Sequence, residues 1–205
     1  FYLYHYRGGT MGLLDRVKGI LLSPKTEWEV IAGEQPNPGQ IIVGYVLPLA
    51  LIPAVATVIG MGVIAMGPFG SVSYGIAMGV VSFVTSLIGV YLTALVVDLL
   101  APTFGSEKDF GRSLQLVAYS WTPAWVAGIL SIVPALAWLA MIAGLYGIYL
   151  MYLGLPPIKK TPQDKQVVYL IVSFVVLMVV YFIIAAILTG IVAAILGMGI
   201  MTLQG

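Results

Sequence analysis

Long apolar runs separate the charged residues of this sequence. No charged residue occurs between Glu34 and Asp98, an interval far longer than the roughly 20 residues that one helical crossing of a bilayer needs. The run must therefore turn back once, and residues 67–71, Gly-Pro-Phe-Gly-Ser, supply the proline and glycines that favour a turn. The pattern predicts a first span over about residues 41–66 and a second over about 72–97.

The second half of the chain repeats this pattern. Residues 113–158 carry no charge, and a turn at 131–134, Ser-Ile-Val-Pro, divides them into predicted spans over about 116–130 and 136–155. A last apolar stretch, about 167–200, is longer than a crossing requires, so we expect it to tilt or to project beyond the bilayer. Two short hairpin arms are the alternative for this stretch.

The positive charges give the orientation of these spans. From Met11 onwards they fall before the first span, between the second and third, and between the fourth and fifth. With five spans these segments share one side, which the positive-inside rule makes the cytoplasm; four or six spans would scatter the charges. The sequence predicts a cytoplasmic amino terminus and an outside carboxyl terminus. The positive residues are Arg16, Lys18, Lys25, Lys108, Arg112, Lys159, Lys160 and Lys165.

A short amphipathic segment precedes the first span. Ser23 and Pro24 are typical of a helix start, a capping hydroxyl followed by proline, and Gly33 is expected to end that second helix before the turn at 36–39. The segment then has two interpretations: a docking or membrane-sensing element, or a cap on the bundle that is anchored at the headgroups through Trp28. The first helix is predicted to lie in the membrane interface, with Leu13, Leu14, Val17, Ile20 and Leu21 on its apolar side and Asp15, Arg16 and Lys18 on its polar side.

The first ten residues are unlike the rest of the chain. Because Met11-Gly12-Leu13-Leu14 reads as a natural start, we expect residues 1–10 to be a non-native leader. The predicted division is this leader, a cytoplasmic or interfacial segment over 11–38, and a transmembrane domain over 39–205. No cleavable signal peptide is visible, so the first span is expected to act as an uncleaved insertion signal.

Composition supports a membrane protein without visible catalytic chemistry. Hydrophobic residues make up 60% of the chain and charged residues 8%, against roughly a quarter charged in soluble domains. A net charge of +1 argues against nucleic-acid binding. The chain has no cysteine, and its single histidine is His5, so neither a metal site nor a cofactor site is expected. We predict no catalytic residues and no enzymatic activity.

Three positions in the second span are candidate functional or packing residues. Asp98 borders its cytoplasmic end, where a gating or ion-site role competes with a structural role beside a Lys or Arg of a neighbouring loop. Gly75 and Gly79 form a small-xxx-small pattern, which lets two helix backbones approach closely.

A small transporter or channel is the rival function. Prolines at 48, 53 and 123 fall inside predicted spans, where they should kink or interrupt a helix, and broken helices can bind substrates. Pro123 is therefore a further candidate residue. An intramembrane hydrolase is a distant third. The hydroxyls that could line a polar path are Ser82, Thr85, Ser86, Thr93, Ser120 and Thr122.

Short motifs in three places give the chain a family resemblance. Residues 118–123 read Ala-Tyr-Ser-Trp-Thr-Pro, residues 147–155 read Gly-Ile-Tyr-Leu-Met-Tyr-Leu-Gly-Leu, and the leader at 21–28 reads Leu-Leu-Ser-Pro-Lys-Thr-Glu-Trp. With the hydropathy order, these resemble the bacterial branch of the Ypt-interacting protein (YIP) family. From here on, the leader means the amphipathic segment over residues 11–38. The resemblance implies five spans with a cytoplasmic amino terminus. Together with the pattern above, the predicted fold is an all-α, polytopic transmembrane bundle of five helices with an amino-terminal interfacial amphipathic helix.

The resemblance also bears on partners. Eukaryotic relatives are associated with Rab-type GTPases and vesicle trafficking, and a Gly-Tyr motif marks their spans. Tyr119 and Ser120 are similar to that motif, with Ala118 in place of glycine. The relatives' Asp-Leu-Tyr-Gly-Pro motif is missing from the leader, although residues 98–102, Asp-Leu-Leu-Ala-Pro, echo it after the second span.

The leading hypothesis is therefore a non-enzymatic scaffold or adaptor of a bacterial inner membrane. It would contact membrane lipid and hold protein partners, as a homo-oligomer, a hetero-oligomer or a subunit of a larger complex.

Overall fold

A computed structural model describes residues 12–64 and 71–203, with side chains described up to residue 184. The described residues form helices joined by short connections. The expected non-native leader at 1–10 and most of the expected turn at 67–71 lie outside them. The helices are α1 (Leu13–Leu22), α2 (Pro24–Gly33), α3 (Pro38–Ile64), α4 (Val72–Leu100), α5 (Phe110–Ser120), α6 (Thr122–Ala127), α7 (Trp138–Lys159) and α8 (Gln166–Leu203).

Four apolar stretches are long enough to cross a membrane: Pro38–Ile64, Val72–Phe104, Pro134–Lys159 and Gln163–Ile184. They coincide with the first, second, fourth and fifth predicted spans. The fifth is the beginning of α8, one uninterrupted helix through Leu203. The alternative of two short hairpin arms for this stretch is therefore wrong.

The third predicted span is not a single long helix. α5 ends at Ser120, α6 covers only Thr122–Ala127, and a 3₁₀ segment follows over Gly128–Ile132. Pro123 causes the break, because proline lacks the N–H that would continue the ladder of α5. Each piece is too short to cross a membrane alone. By helix length, the described residues therefore contain four candidate spans, and the third predicted span is not among them.

The later part of this broken segment (residues 110–132) nevertheless packs along much of α3. At one level the Thr122 and Tyr45 hydroxyl oxygens are 2.7 Å apart. Further along, Gly128 packs so tightly on Pro53 that an added Cβ would lie 2.6 Å from the proline Cβ. Beyond that, a Cβ on Gly60 would come within 2.2 Å of the Ser131 carbonyl oxygen. The segment therefore advances beside α3 from Tyr45 to Gly60.

Prolines shape α3 as expected for a kinked span. A π-helical turn, Ile42–Val46, comes just before Pro48, and Pro53 lies inside the following α-helical stretch. The Thr57 hydroxyl donates a 2.7 Å hydrogen bond to the Pro53 carbonyl oxygen. Proline removes a backbone donor, and a π-helical turn is one way in which a helix accommodates the loss within apolar surroundings.

Two glycines of α4 allow the backbone of α3 to approach closely. A Cβ on Gly75 would lie 2.5 Å from the Gly62 Cα and 2.7 Å from the Val58 carbonyl oxygen. One on Gly79 would lie 2.9 Å from the Ala54 carbonyl oxygen. Because backbone atoms cannot rotate away as side chains do, the α3–α4 contact depends on both glycines.

Gly75→Ala should therefore destabilise the bundle. The added methyl forces the two backbones apart, and overpacking of this kind costs about 1–3 kcal/mol. Gly144→Ala in α7 is the matched control, because nothing lies within 4 Å of a Cβ added there. Thermal unfolding of both variants in mild detergent measures the difference; equal midpoints would contradict the packing described here.

The charged connections meet at one end of the bundle. The Glu107 N–H donates to the Lys159 carbonyl oxygen at 2.9 Å, and the Lys160 ammonium pairs with the Glu107 carboxylate at 2.5 Å. The Arg112 guanidinium donates to the Ile31 carbonyl oxygen at 3.4 Å. The three positive segments of the sequence are thus neighbours at this charged end.

Candidate functional site

Two buried polar clusters lie near the charged end. The lysine cluster consists of Asp98, Ser113 and Lys159, and the leader cluster consists of Arg16, Glu27, Glu34 and Tyr119. Apolar helices surround both, so their charges depend on partners within the protein rather than on water.

The lysine cluster joins α4, α5 and α7. The Lys159 ammonium is fully buried and donates to Asp98 Oδ1 at 3.2 Å, to the Ser113 hydroxyl at 2.7 Å and to the Asp109 carbonyl oxygen at 3.1 Å. The Ser113 hydroxyl lies 3.0 Å from Asp98 Oδ1. All three ammonium donors therefore have acceptors, which is the condition under which a buried charge is tolerated.

Asp98 thus has the cationic partner that the sequence predicted for a structural role. It does not lie open to water at the end of its span, because only 6% of the residue is exposed. At the preceding residue, the Tyr169 hydroxyl of α8 donates to the Val97 carbonyl oxygen. The end of α4 is therefore fixed by polar contacts to α5, α7 and α8.

The leader cluster holds α1 and α2 against the bundle. The Arg16 guanidinium pairs with Glu27 Oε1 at 2.6 Å and with the Glu34 carboxylate, and it lies 5.4 Å from the centre of the Tyr119 ring. Burial raises the pKa of the Glu27 carboxyl, and the Arg16 charge offsets this only in part. One guanidinium thus pairs with two carboxylates while it faces an aromatic ring.

Tyr119 is the centre of an aromatic group that links the leader to α3 and α5. Its ring meets the Tyr45 ring edge-on at 4.7 Å, and the Trp28 ring lies 6.3 Å away. Thr122 bonds to the Tyr45 hydroxyl and donates to the Tyr119 carbonyl oxygen at 2.7 Å. Tyr119, the tyrosine of the Tyr-Ser pair, therefore lies at the contact with α1 and α2.

Trp28 is not an anchor at the headgroups, because it is only 1% exposed. Its indole fills a space left by Gly154 of α7, where an added Cβ would lie 2.8 Å from the ring. The expectation failed because a leader tryptophan looks the same in sequence whether it faces lipid or a glycine of a distant helix.

Two other expectations for the leader are also wrong. The amphipathic pattern puts Arg16 on the polar, outward side of α1, but the residue is 5% exposed and faces the bundle. Ser23 precedes α2 as predicted, yet its hydroxyl makes no capping hydrogen bond. Pairing with Glu27 and Glu34 outweighs the solvation that an exposed arginine would keep.

Ser120 and Pro123 lie where α5 gives way to α6. The Ser120 hydroxyl is buried without a hydrogen-bond partner among the described residues, and the Ser120 carbonyl oxygen would lie 2.6 Å from a Cβ on Gly147. Pro123 is buried inside α6. The Ser120 backbone therefore lies in a tight contact with α7, and Pro123 follows at the buried start of α6.

Sequence reasoning missed Ser113, Lys159, Arg16 and Glu27 as cluster members. In sequence, Lys159 and Arg16 serve only as orientation charges, because their partners lie 61 and 11 residues away. A weak signal that Lys159 is buried existed in the sequence, because this lysine directly follows an uncharged apolar run. Only the folded structure shows that Lys159 pairs with Asp98.

The leader cluster yields a prediction about its two buried charges. Arg16→Met removes the cation that pairs with the buried Glu27 carboxylate, and leaving a buried charge without its counter-charge costs about 3 kcal/mol. Glu27→Gln should cost less, about 1 kcal/mol, because Arg16 keeps Glu34 and burial already disfavours the Glu27 charge. Chemical unfolding in mild detergent ranks the two; a larger loss for Glu27→Gln would contradict this account.

Apolar helices long enough to cross a bilayer define an integral membrane protein. The Yip1 domain profile matches residues 18–187, and the chain therefore belongs to the Yip1 domain family. No curated protein and no solved structure gives a significant match. The match begins inside α1, at residue 18, and covers the lysine cluster and every member of the leader cluster except Arg16, so the end of α1 and all of α2 are part of the domain.

Proposed function

We propose that this Yip1 family protein is a non-enzymatic membrane scaffold or adaptor, which holds protein partners or organises lipid. One observation carries the proposal. Each of the four buried charged side chains in the described part of the chain, Arg16, Glu27, Asp98 and Lys159, is ion-paired within the protein. Charges arranged in this way fix the shape of a bundle, which is what a scaffold requires.

We further propose five crossings, with the broken segment as the third. Its support is the contact with α3 from Tyr45 to Gly60, since a 3₁₀ stretch rises about 2.0 Å per residue and so needs fewer residues than an α-helix for the same depth. The one-sided positive charge supports a cytoplasmic amino terminus and an outside carboxyl terminus. The resemblance to bacterial relatives supports an inner membrane.

The leader is proposed to lie in the cytoplasmic interface of that membrane. Its helices α1 and α2 pack on the bundle near the charged end through Arg16 and Trp28. In this proposal Tyr119 maintains the contact with the leader, and Ser120 and Pro123 maintain the shape of the broken segment, rather than bind a substrate.

Purification tests the scaffold proposal. A tagged full-length chain extracted in mild detergent should retain protein partners in fixed stoichiometry, measured by quantitative mass spectrometry. An unrelated tagged membrane protein of similar size is the control for nonspecific capture. A protein that remains a lone monomer, with no protein enriched over the control, would contradict the proposal.

A further inference from the structure

Helix α1 has an inner side that is fixed against the protein. Ile20 is fully buried, and Leu13, Val17 and Leu21 pack against the core. Arg16 adds its pairing with Glu27 at 2.6 Å on the same side. With these contacts in place, α1 cannot rotate about its axis, so the identity of its outward residues is determined.

The outward edge of α1 carries two exposed leucines with a lysine between them. Leu14 is 71% exposed and Leu22 is 80% exposed, and Lys18 is also exposed. A spacing of four residues places all three on one stripe, with the leucines about 12 Å apart. Asp15 is exposed beside them, so the stripe has no net charge and its leucines dominate its chemistry.

A neighbouring tyrosine pair suggests what this edge meets. The Tyr146 hydroxyl of α7 donates to the Leu21 carbonyl oxygen at 2.9 Å, next to Leu22. The Tyr149 ring lies 5.8 Å from that of Tyr146, and Tyr149 is 44% exposed on a helix that is apolar enough to cross a bilayer. Leu145, beside Tyr146, is 65% exposed on the same helix, so the outward edge of α1 continues onto an exposed apolar surface of a membrane-spanning helix.

We infer that the edge Leu14–Lys18–Leu22 is a docking surface for the bilayer leaflet at the charged end. The two leucines enter the boundary between headgroups and acyl chains, while the Lys18 side chain extends its ammonium to phospholipid phosphates. The inference rests on the interfacial leader proposed above. It assigns the lipid contact to this edge, whereas most of the apolar side expected from sequence packs on protein.

Spin-label accessibility tests this assignment, because the chain has no cysteine and single cysteines can be labelled without background. The probes are Leu14→Cys and Leu22→Cys, each carrying a nitroxide, in full-length protein reconstituted into vesicles of phosphatidylcholine and phosphatidylglycerol. Val80→Cys, on an exposed apolar position of α4, is the lipid-facing reference. Lys108→Cys, in the exposed connection between α4 and α5, is the water-facing reference.

At both leucine positions we expect relaxation by oxygen to exceed relaxation by a water-soluble nickel chelate, as at Val80 and opposite to Lys108. Raising the salt concentration should leave the result unchanged, because the leucines carry the contact. Greater relaxation by the nickel chelate would place the edge in water and overturn the inference. Protection from both reagents would overturn it in favour of a covering protein, and either failure leaves the partner-capture test of the scaffold unaffected.

Discussion

Asp98→Ala should lower the free energy of unfolding by about 3–5 kcal/mol, because it leaves the buried Lys159 ammonium without its counter-charge. The Ser113 hydroxyl and the Asp109 carbonyl oxygen would remain as acceptors, but neither carries a charge. Denaturant titration of the purified protein in mild detergent, followed by far-ultraviolet circular dichroism, measures the loss.

Two further variants separate the charge effect from lost packing. Asp98→Leu combined with Lys159→Met removes both charges and should recover most of the stability, since apolar replacement of a buried pair is often neutral or stabilising. Glu107→Ala breaks the exposed pair with Lys160, whose side chain is 71% exposed, and should cost only about 0.2–1 kcal/mol. An equal loss for Asp98→Ala and Glu107→Ala would contradict the buried-pair description.

Trp28→Ala should destabilise the protein by about 3–5 kcal/mol, the usual effect of removing a large buried aromatic side chain. The truncation leaves a cavity beside Gly154 and removes a ring from the group around Tyr119. The same unfolding assay measures the effect. Loss of Trp28 should also free the leader, which limited proteolysis would detect as faster cleavage before residue 38.

Trp138→Ala is the matched control for Trp28→Ala. Trp138 begins α7 and is 56% exposed, so its truncation should change the unfolding free energy by less than about 1 kcal/mol. If Trp28 were a headgroup anchor, the two variants would behave alike. Equal effects would therefore contradict the buried placement of Trp28.

Much of the fold could be predicted from the sequence because hydrocarbon imposes simple rules. Charge-free intervals with enough residues to cross a bilayer correctly predicted helices at the positions of α3, α4, α7 and α8. The turn expected at 67–71 falls in the interval between the end of α3 at Ile64 and the start of α4 at Val72. The helix breaks expected at Ser23 and Gly33 divide the leader correctly.

The rest could not be predicted because it depends on contacts between distant residues. Pro123 divides the third stretch into pieces that no hydropathy window recognises as one span. Arg16 and Trp28 have the sequence signature of an exposed interfacial segment, yet Glu27 and Gly154 bury them. An amphipathic pattern shows which side of a helix is apolar, but not whether that side meets lipid or protein.

The crossing made by the broken segment is the central claim, and cysteine labelling on its two sides tests it most directly. Single variants Lys108→Cys, before α5, and Ala135→Cys, after the 3₁₀ segment, are exposed to labelling. An impermeant maleimide added to intact cells should label Ala135→Cys but should reach Lys108→Cys only after the membrane is opened. Labelling of both positions from the same side would contradict a third crossing and, with it, the five-span layout.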